Sequence, residues 1–283
     1  MIAIVAPKGG VGKSQLTLNL SVFLALRLRA AGKTVCIVDA NFQQADAGKY
    51  IGHYSPTITD LVRDPSGISP ERIRDYLVHP QRYAVSVLLG PSVIDDADPT
   101  YINGALYSEV IDSLRQLYDY VFIDTPVAEK YHNLFNEFVI PKADRLVVAT
   151  IPSFTTLINV DNWLRSITAP RNAGGAGYDP ARIGVILNQA APGIDCTEDD
   201  VRRELANWRF LGSVPATDQW RRAENNFELV ADKNYAELNE AFARILYVVT
   251  GERVLLEGLA QHEQQGPGLF KQLARAFRRG HDG

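Results

Sequence analysis

One stretch near the N-terminus constrains the fold of this chain more than any other. The apolar run Ile2–Val5 leads into residues 8–14, Lys-Gly-Gly-Val-Gly-Lys-Ser, and leucines at helical spacing follow from Leu16 to Leu28. A glycine-rich loop between a strand and a helix is the context in which so short a match predicts phosphate binding. The sequence therefore predicts a strand–loop–helix unit that holds the phosphates of a nucleotide.

The residue types of this loop suit that chemistry. Small residues at Gly9, Gly10 and Gly12 let the backbone wrap closely around phosphate oxygens, and the N–H groups then form an anion nest at the positive end of the helix. Lys13 is expected between the β- and γ-phosphates, and the Ser14 hydroxyl is expected to ligate Mg²⁺. The predicted nucleotide-binding residues of the loop are Lys8, Gly9, Gly10, Val11, Gly12, Lys13, Ser14 and Gln15.

Two later apolar runs, Val35–Asp39 and residues 118–124, end in a carboxylate. Continuous apolar runs are typical of parallel strands buried on both faces, and ligand residues gather at the carboxyl ends of such strands. We therefore expect Asp39 and Asp124 beside the loop, where they would complete a Mg²⁺ site with Ser14. Helix or loop capping is the alternative role for each carboxylate.

Strands and helical segments alternate along residues 1–260, which predicts an α/β domain with a doubly wound, mostly parallel sheet flanked by helices. The net charge of −4 gives no overall basic field that would attract nucleic acid or anionic lipid. The two cysteines, Cys36 and Cys196, lie far apart and outside any C-x-x-C pair, which favours a reducing compartment and disfavours an Fe–S or zinc site. We expect a cytoplasmic protein without a membrane-spanning segment.

The loop carries a second lysine, Lys8, and has Pro7 where the generic motif has glycine. In this it resembles the deviant Walker A loop of the ParA/MinD family of P-loop ATPases. The resemblance implies ATP as the nucleotide and a homodimer in which Lys8 reaches the partner's nucleotide, so that ATP binding and dimerisation are one event. It also implies that Asp39 holds a Mg²⁺-bound water, that Asn188 reads the adenine edge, and that the loop after Pro215 packs on the base.

The segment that begins at Asp39 is similar to the first switch of the MinD branch, where the usual pattern is Asp-x-Asp. The second position here is Asn41. An amide can orient a water molecule, but it cannot accept a proton as a carboxylate does. The predicted catalytic residues are Lys8, Lys13, Asp39 and Asn41. We expect ATP hydrolysis to be slow or partner-dependent unless Asp46 folds back to compensate.

The C-terminal segment has a distinct composition. Residues 261–268 read as a flexible linker, and residues 269–280 read as a basic amphipathic helix. Its apolar face comprises Leu269, Phe270, Leu273 and Phe277, and its positive charge comes from Lys271, Arg275, Arg278 and Arg279. Such a helix fits an anionic membrane surface and resembles the membrane-targeting helix of MinD, which would make the protein peripheral on the inner face of the cell membrane. Docking on the domain or on a partner is the alternative.

The favoured function is an ATP-dependent dimerising switch that positions a cargo. The order of elements is similar to the CpaE/TadZ branch, which implies positioning of a pilus or secretion machine with an activating protein of unknown identity. One alternative is a nucleotide-locked, non-hydrolysing scaffold, in which Asn41 has removed turnover. Another is a DNA-partition ATPase that binds DNA through a local basic patch. The arginines of that predicted patch are Arg202, Arg203, Arg209, Arg221 and Arg222.

Overall fold

A seven-stranded sheet forms the centre of the protein. The computed structural model describes residues 1–41, 45–91, 101–128, 135–191, 193 and 196–257. The strands are β1 (Ile2–Val5), β2 (Val35–Asp39), β3 (Ser86–Leu88), β4 (Tyr120–Asp124), β5 (Arg145–Thr150), β6 (Ile183–Ala190) and β7 (Arg209–Pro215). Their order across the sheet is β3-β2-β4-β1-β5-β6-β7, and every pairing between these strands is parallel.

Helices connect the strands. They are α1 (Lys13–Leu28), α2 (Ala47–Ile51), α3 (Ile58–Arg63), α4 (Pro70–Ile73), α5 (Gly104–Leu114), α6 (Ile140–Lys142), α7 (Phe154–Thr168), α8 (Glu198–Glu204), α9 (Asp218–Asn225) and α10 (Ala236–Thr250), and a π-helical turn (Phe135–Val139) precedes α6. The predicted linker at 261–268 and the predicted basic helix at 269–280 lie outside the described residues.

The strands are buried on both faces, and alternate side chains belong to two apolar clusters, one on each face of the sheet. Ile4, Ile37 and Phe122 point toward α1 and α10, whereas their neighbours in the strands point toward α5 and α7. Helices on both faces of a parallel sheet confirm the doubly wound fold that the uninterrupted apolar runs predicted.

The strand order decides which loops meet. The chain leaves β1 through α1 and enters β2, but β4 lies between these two strands in the sheet. Asp124 of β4 is therefore in register with Ile4 of β1 on one side and with Asp39 of β2 on the other. Because carboxyl ends of parallel strands share one edge, the loops after β1, β2 and β4 surround a single crevice.

Candidate functional site

The glycine-rich loop passes from β1 to α1 in a conformation that requires glycine at two positions. Gly10 and Gly12 have φ angles of +74° and +85°, a left-handed region that side-chain-bearing residues seldom adopt. A Cβ atom at Gly12 would also lie 2.5 Å from Nδ2 of Asn188. Helix α1 starts at the next residue, so the loop's N–H groups and the positive end of the helix share one concave surface.

Lys13 and Ser14 begin this helix and lie next to Asp124. Lys13 is only 8% exposed, and its pKa is lowered by burial, with the charge of Asp124 opposing the shift. The Ser14 hydroxyl donates a hydrogen bond that lowers the pKa of Asp124, but burial is the larger influence and raises that pKa overall. Lysine, hydroxyl and carboxylate are thus brought together at the mouth of the loop, as the sequence predicted.

Asp39 lies beside Asp124 at the end of the neighbouring strand. Its Oδ1 accepts a hydrogen bond from the backbone N–H of Asn41 at 3.1 Å, and its Oδ2 accepts one from Ala47 at 3.2 Å. Burial and the negative charge of Asp124 together raise the pKa of Asp39 well above its ordinary value. Because Ala47 is the first residue of α2, the Asp39 carboxylate also binds the N–H group at the start of that helix, whereas its metal-site role remains a prediction.

The donor set of this crevice fits Mg²⁺. Among the described residues, Oδ1 of Asp124 is buried without a hydrogen-bond partner, which leaves one carboxylate oxygen with lone pairs to share. Mg²⁺ prefers oxygen ligands and retains several waters, so one or two carboxylates and a hydroxyl suffice when phosphate supplies the rest. No group of three or more His, Cys, Asp or Glu residues suited to a metal occurs in the described ranges.

The loop after β4 is fixed against the glycine-rich loop. The Thr125 hydroxyl donates to the Ile4 carbonyl at 2.7 Å, and the Ala128 N–H donates to the Ala6 carbonyl at 2.8 Å. These bonds tie the backbone after Asp124 to the backbone entering the phosphate loop. Thr125 was not among the predicted site residues, although its place directly after a strand-terminal carboxylate was a signal for a role at the site.

Lys8 is exposed at the outer side of the loop. Its Nζ donates to the Thr156 hydroxyl on α7 at 3.4 Å, a long contact that a competing anion can replace. Phe154 and Ile158 of the same helix are 42% and 55% exposed, one turn apart. The exposed lysine therefore contacts α7, a helix that also exposes two apolar side chains.

Asn41 follows Asp39 and is partly exposed, but residues 42–44 of the predicted switch lie outside the described part of the chain. Asp46 lies near the crevice, since it directly precedes Ala47, whose N–H binds Asp39. Its charge contributes to the raised pKa of both Asp39 and Asp124. It forms an ion pair with Lys49 at 2.6 Å. Its role as a substitute for the missing second carboxylate remains a prediction.

Asn188 and Pro215 occupy the carboxyl ends of β6 and β7. Asn188 is 2% exposed, and its Nδ2 donates to the Val11 carbonyl at 2.9 Å, so it braces the phosphate loop. Pro215 is partly buried and pairs in register with Ala190. Their predicted adenine contacts remain predictions, whereas the bracing role of Asn188 was not anticipated.

Gln15 faces the interior and joins a polar network that the sequence did not reveal. Its side-chain oxygen accepts from Asn19 Nδ2 at 3.2 Å, and Asn19 Oδ1 accepts from the N–H groups of Val230 and Ala231 at 2.8 and 3.0 Å. The network ties the first turns of α1 to the segment between α9 and α10. A buried asparagine within a leucine-rich helix was the signal for such a network.

Two of the five arginines in the predicted basic patch lie on α8, and both form ion pairs with carboxylates of that helix. Arg202 pairs with Glu198 at 2.6 Å and Arg203 with Asp200 at 2.5 Å, both within α8. The Arg202 guanidinium also stacks over the ring of Phe210, 4.3 Å from its centroid.

No helix in the described ranges is both long and apolar enough to cross a bilayer.

Comparisons with known proteins agree with this geometry. A family model described as an AAA domain matches residues 1–173. The septum site-determining protein MinD of Bacillus subtilis is 27% identical over 282 residues, which cover 98% of this chain and 97% of that protein. Among solved structures, MinD of Pyrococcus horikoshii complexed with Mg-ADP has a TM-score of 0.70 at 23% identity. The match covers 88% of this chain and 95% of the MinD chain. The MinC:MinD cell division protein complex of Aquifex aeolicus has a TM-score of 0.68 at 20% identity, with coverage of 89% and 96%.

The parallel sheet, the glycine-rich loop and the two strand-end carboxylates define a P-loop nucleotide-binding protein. The chain belongs to the ParA/MinD family of P-loop ATPases, as the AAA-domain match and the MinD relatives establish. This confirms the family resemblance, whereas the interpretation of the loop as a deviant Walker A motif remains a prediction. The closer likeness to the CpaE/TadZ branch remains a prediction.

Proposed function

We propose that this protein is an ATP- and Mg²⁺-dependent dimerising switch that positions a cellular cargo. One observation carries the proposal. The phosphate loop, buried Lys13 and the adjacent carboxylates Asp39 and Asp124 converge on one crevice, where the pKa of each carboxyl is raised. Two buried carboxylates side by side are unfavourable for the fold alone, and a divalent cation removes that repulsion.

The residues of the crevice divide the chemistry between them. Lys13 and the loop N–H groups bind the phosphates, and Ser14, Asp39 and Asp124 hold the metal or its waters. Bound Mg²⁺ supplies charge neutralisation of the phosphates. Asn41 orients the attacking water without accepting its proton, so turnover is slow until a partner protein completes the site.

The proposed dimer uses the surface around Lys8. This lysine is exposed, and within the described ranges its one hydrogen bond is the long contact to Thr156, so it is available to a second copy of the chain. The exposed side chains of Phe154 and Ile158 supply apolar area on α7, the helix that Lys8 contacts. The MinD relative of known structure in complex with MinC supports the idea that a protein partner binds such a switch.

The surface on which the switch acts is proposed from sequence. The basic amphipathic pattern of residues 269–280 fits an anionic membrane, and two copies in a dimer raise the effective concentration of the helix. ATP binding would thereby control residence at the membrane. The arginine–carboxylate pairs of α8 make the nucleoid the less favoured surface.

The decisive experiment measures ATP turnover and oligomeric state together, with and without anionic liposomes. We expect the wild type to bind ATP, to dimerise with Mg²⁺ and to hydrolyse slowly, and we expect Asn41→Asp to hydrolyse faster. Lys13→Ala should lose nucleotide binding, whereas Lys8→Ala should bind nucleotide but remain monomeric. Lys142→Ala is the matched control, because this lysine pairs with Asp112 far from the crevice.

The outcomes separate the hypotheses. Hydrolysis by the wild type that liposomes stimulate supports a membrane-cycling switch. A wild-type dimer that turns over ATP only after Asn41→Asp supports the nucleotide-locked scaffold instead. Absence of ATP binding by the wild type refutes the proposed function altogether.

A further inference from the structure

A cavity of about 360 Å³ lies at the opposite edge of the sheet from the nucleotide crevice. Its wall includes Val35, the first residue of β2, Ser86, the first residue of β3, and Tyr118, which shortly precedes β4. Parallel strands begin at one edge of a sheet and end at the other, so this cavity is remote from Asp39 and Asp124 at the strand ends. Its volume lies within the range of about 300–1,000 Å³ that is typical of small-molecule sites.

The side chains around this cavity carry positive charge. Arg29, in the turn after α1, and Lys33 line the wall, and no aspartate or glutamate of the described ranges does. The Lys33 ammonium pairs with Glu252 at 2.5 Å, whereas within the described part of the chain the Arg29 guanidinium has no carboxylate partner. A chain with a net charge of −4 thus leaves an arginine unpaired beside a cavity. Its guanidinium is a planar fork of N–H donors that suits an anion.

Neutral hydrogen-bonding side chains complete the wall. The Ser86 hydroxyl lies 2.9 Å from Nδ1 of His79, and Ser86 is only 8% exposed. Tyr118 adds a phenol hydroxyl. Together with the guanidinium and the ammonium, these groups give the wall more side-chain donors than side-chain acceptors. A phosphate monoester has three terminal oxygens that accept hydrogen bonds, against two in a carboxylate, so it makes fuller use of such a wall.

One part of the wall is a hairpin with a fixed backbone. Val78 and Val87 exchange two backbone hydrogen bonds of 2.9 and 2.8 Å, and the Tyr83 N–H donates to the Pro80 carbonyl at 3.0 Å. Ala84, which lines the cavity, has a φ of +53°, a left-handed conformation that is strained for a residue with a side chain. Such strain persists only where the surrounding structure fixes the backbone, and it is concentrated at functional sites. The hairpin therefore gives the cavity a defined shape.

We propose that this cavity binds a free organic phosphate, a monoester whose phosphate group pairs with Arg29 and Lys33. The apolar side chains of Ala25, Val35 and Val85 line the same cavity and contact the organic part of the ester. The Lys33 ammonium has three N–H donors, so it can bind the phosphate while it keeps its ion pair. Because the site lies outside the nucleotide crevice, it does not depend on the proposed function.

The test titrates phenyl phosphate into the full chain and follows backbone amide shifts by NMR, with benzoate as the carboxylate and phenol as the neutral counterpart. We expect phenyl phosphate to shift the amides of residues 32–35 and 84–87, and benzoate and phenol to bind more weakly. Arg29→Gln should weaken the binding of phenyl phosphate at least about tenfold, because a charged hydrogen-bonded pair is lost. Lys13→Ala, which removes a phosphate ligand of the crevice, should leave binding at the cavity unchanged.

Arg27→Gln is the matched control. Arg27 is an exposed arginine of α1 that stacks over the ring of Phe23, 4.9 Å from its centroid, and does not line the cavity. Its replacement should therefore leave the dissociation constant of phenyl phosphate equal to that of the wild type.

Four results would overturn the assignment of this site. They are equal binding by Arg29→Gln and the wild type, equal weakening by Arg27→Gln and Arg29→Gln, the absence of shifts in the cavity wall at about 10 mM phenyl phosphate, and shifts confined to the phosphate loop that Lys13→Ala abolishes. Benzoate that binds the cavity as tightly as phenyl phosphate would refute the choice of a phosphate as the ligand group.

Discussion

Replacing Asp124 with asparagine should stabilise the nucleotide-free protein at neutral pH while impairing Mg²⁺ binding. The carboxyl is fully buried, and desolvation is the largest cause of its raised pKa. The hydrogen bond from Ser14 and the charge of Lys13 offset only part of that effect. Ionised Asp124 therefore destabilises the fold, and an uncharged amide of similar shape removes the destabilisation.

The magnitude follows from linkage between protonation and folding. The pKa of Asp124 is raised from 3.8 to about 6. A raised folded-state pKa means that the native protein binds the proton more tightly than the unfolded chain, so stability falls as pH rises from 3.8 through 6. Each pH unit in that interval corresponds to ~1.4 kcal/mol, which gives a loss of ~3 kcal/mol above pH 7. Asp124→Asn should recover most of this lost stability above pH 7 and none at pH 3.5.

The assay is urea unfolding of wild type and Asp124→Asn across pH 3.5–8 without nucleotide, followed by thermal unfolding with Mg²⁺ and ADP. Only the difference between the two proteins is interpreted, because carboxylates away from the crevice titrate equally in both. Asp39, whose pKa the charge of Asp124 raises, contributes to this difference in the same direction. Asp112→Asn is the control, since this exposed carboxylate should change stability by less than ~0.5 kcal/mol. A difference that is the same at pH 3.5 and pH 7.5, or a variant that is less stable at pH 7.5, would refute the reasoning. Mg²⁺ with ADP should stabilise the wild type more than the variant.

Three further predictions concern the loop, the dimer surface and the buried network. Gly12→Ala should lower the free energy of unfolding by at least ~1–2 kcal/mol and weaken ATP binding, because it strains the backbone and clashes with Asn188; normal binding in calorimetry would contradict this. Ile158→Asp should weaken ATP-dependent dimerisation about tenfold or more in sedimentation experiments, with nucleotide affinity unchanged; equal dimerisation would exclude α7 from the interface. Asn19→Ala should lower the free energy of unfolding by ~2 kcal/mol or more, because it leaves the N–H groups of Val230 and Ala231 unpaired; urea unfolding at unchanged stability would show that the network is dispensable.

Much of the site was predictable because its key residues are close together in the sequence or lie at the ends of recognisable strands. Strand, glycine-rich loop and helix are consecutive, so Lys13 and Ser14 could be placed without knowledge of the rest of the fold. Asp39 and Asp124 were predictable as crevice residues because each ends an uninterrupted apolar run, and parallel strands end at a common edge.

Other site features depend on contacts between distant segments. Asn188 was expected beside the adenine base, yet its side-chain amide donates a hydrogen bond to the carbonyl of Val11, 177 positions earlier in the chain. Thr156 meets Lys8 across 148 positions, and nothing in the local sequence of α7 marks it. Tyr107 reads as an ordinary residue of an amphipathic helix, and its complete burial appears only when α5 packs against the rest of the fold.

The sequence by itself determined the fold class, the phosphate loop and the identity of the two strand-end carboxylates, because periodicity, glycine spacing and chain order are local properties. Only the tertiary structure decided that β4 lies between β2 and β1, and this insertion makes Asp39 and Asp124 direct neighbours. Strand order results from how helices of particular size pack on both faces of the sheet, a competition among distant surfaces that no local pattern records. The raised pKa values and the unbonded oxygen of Asp124 follow from that order.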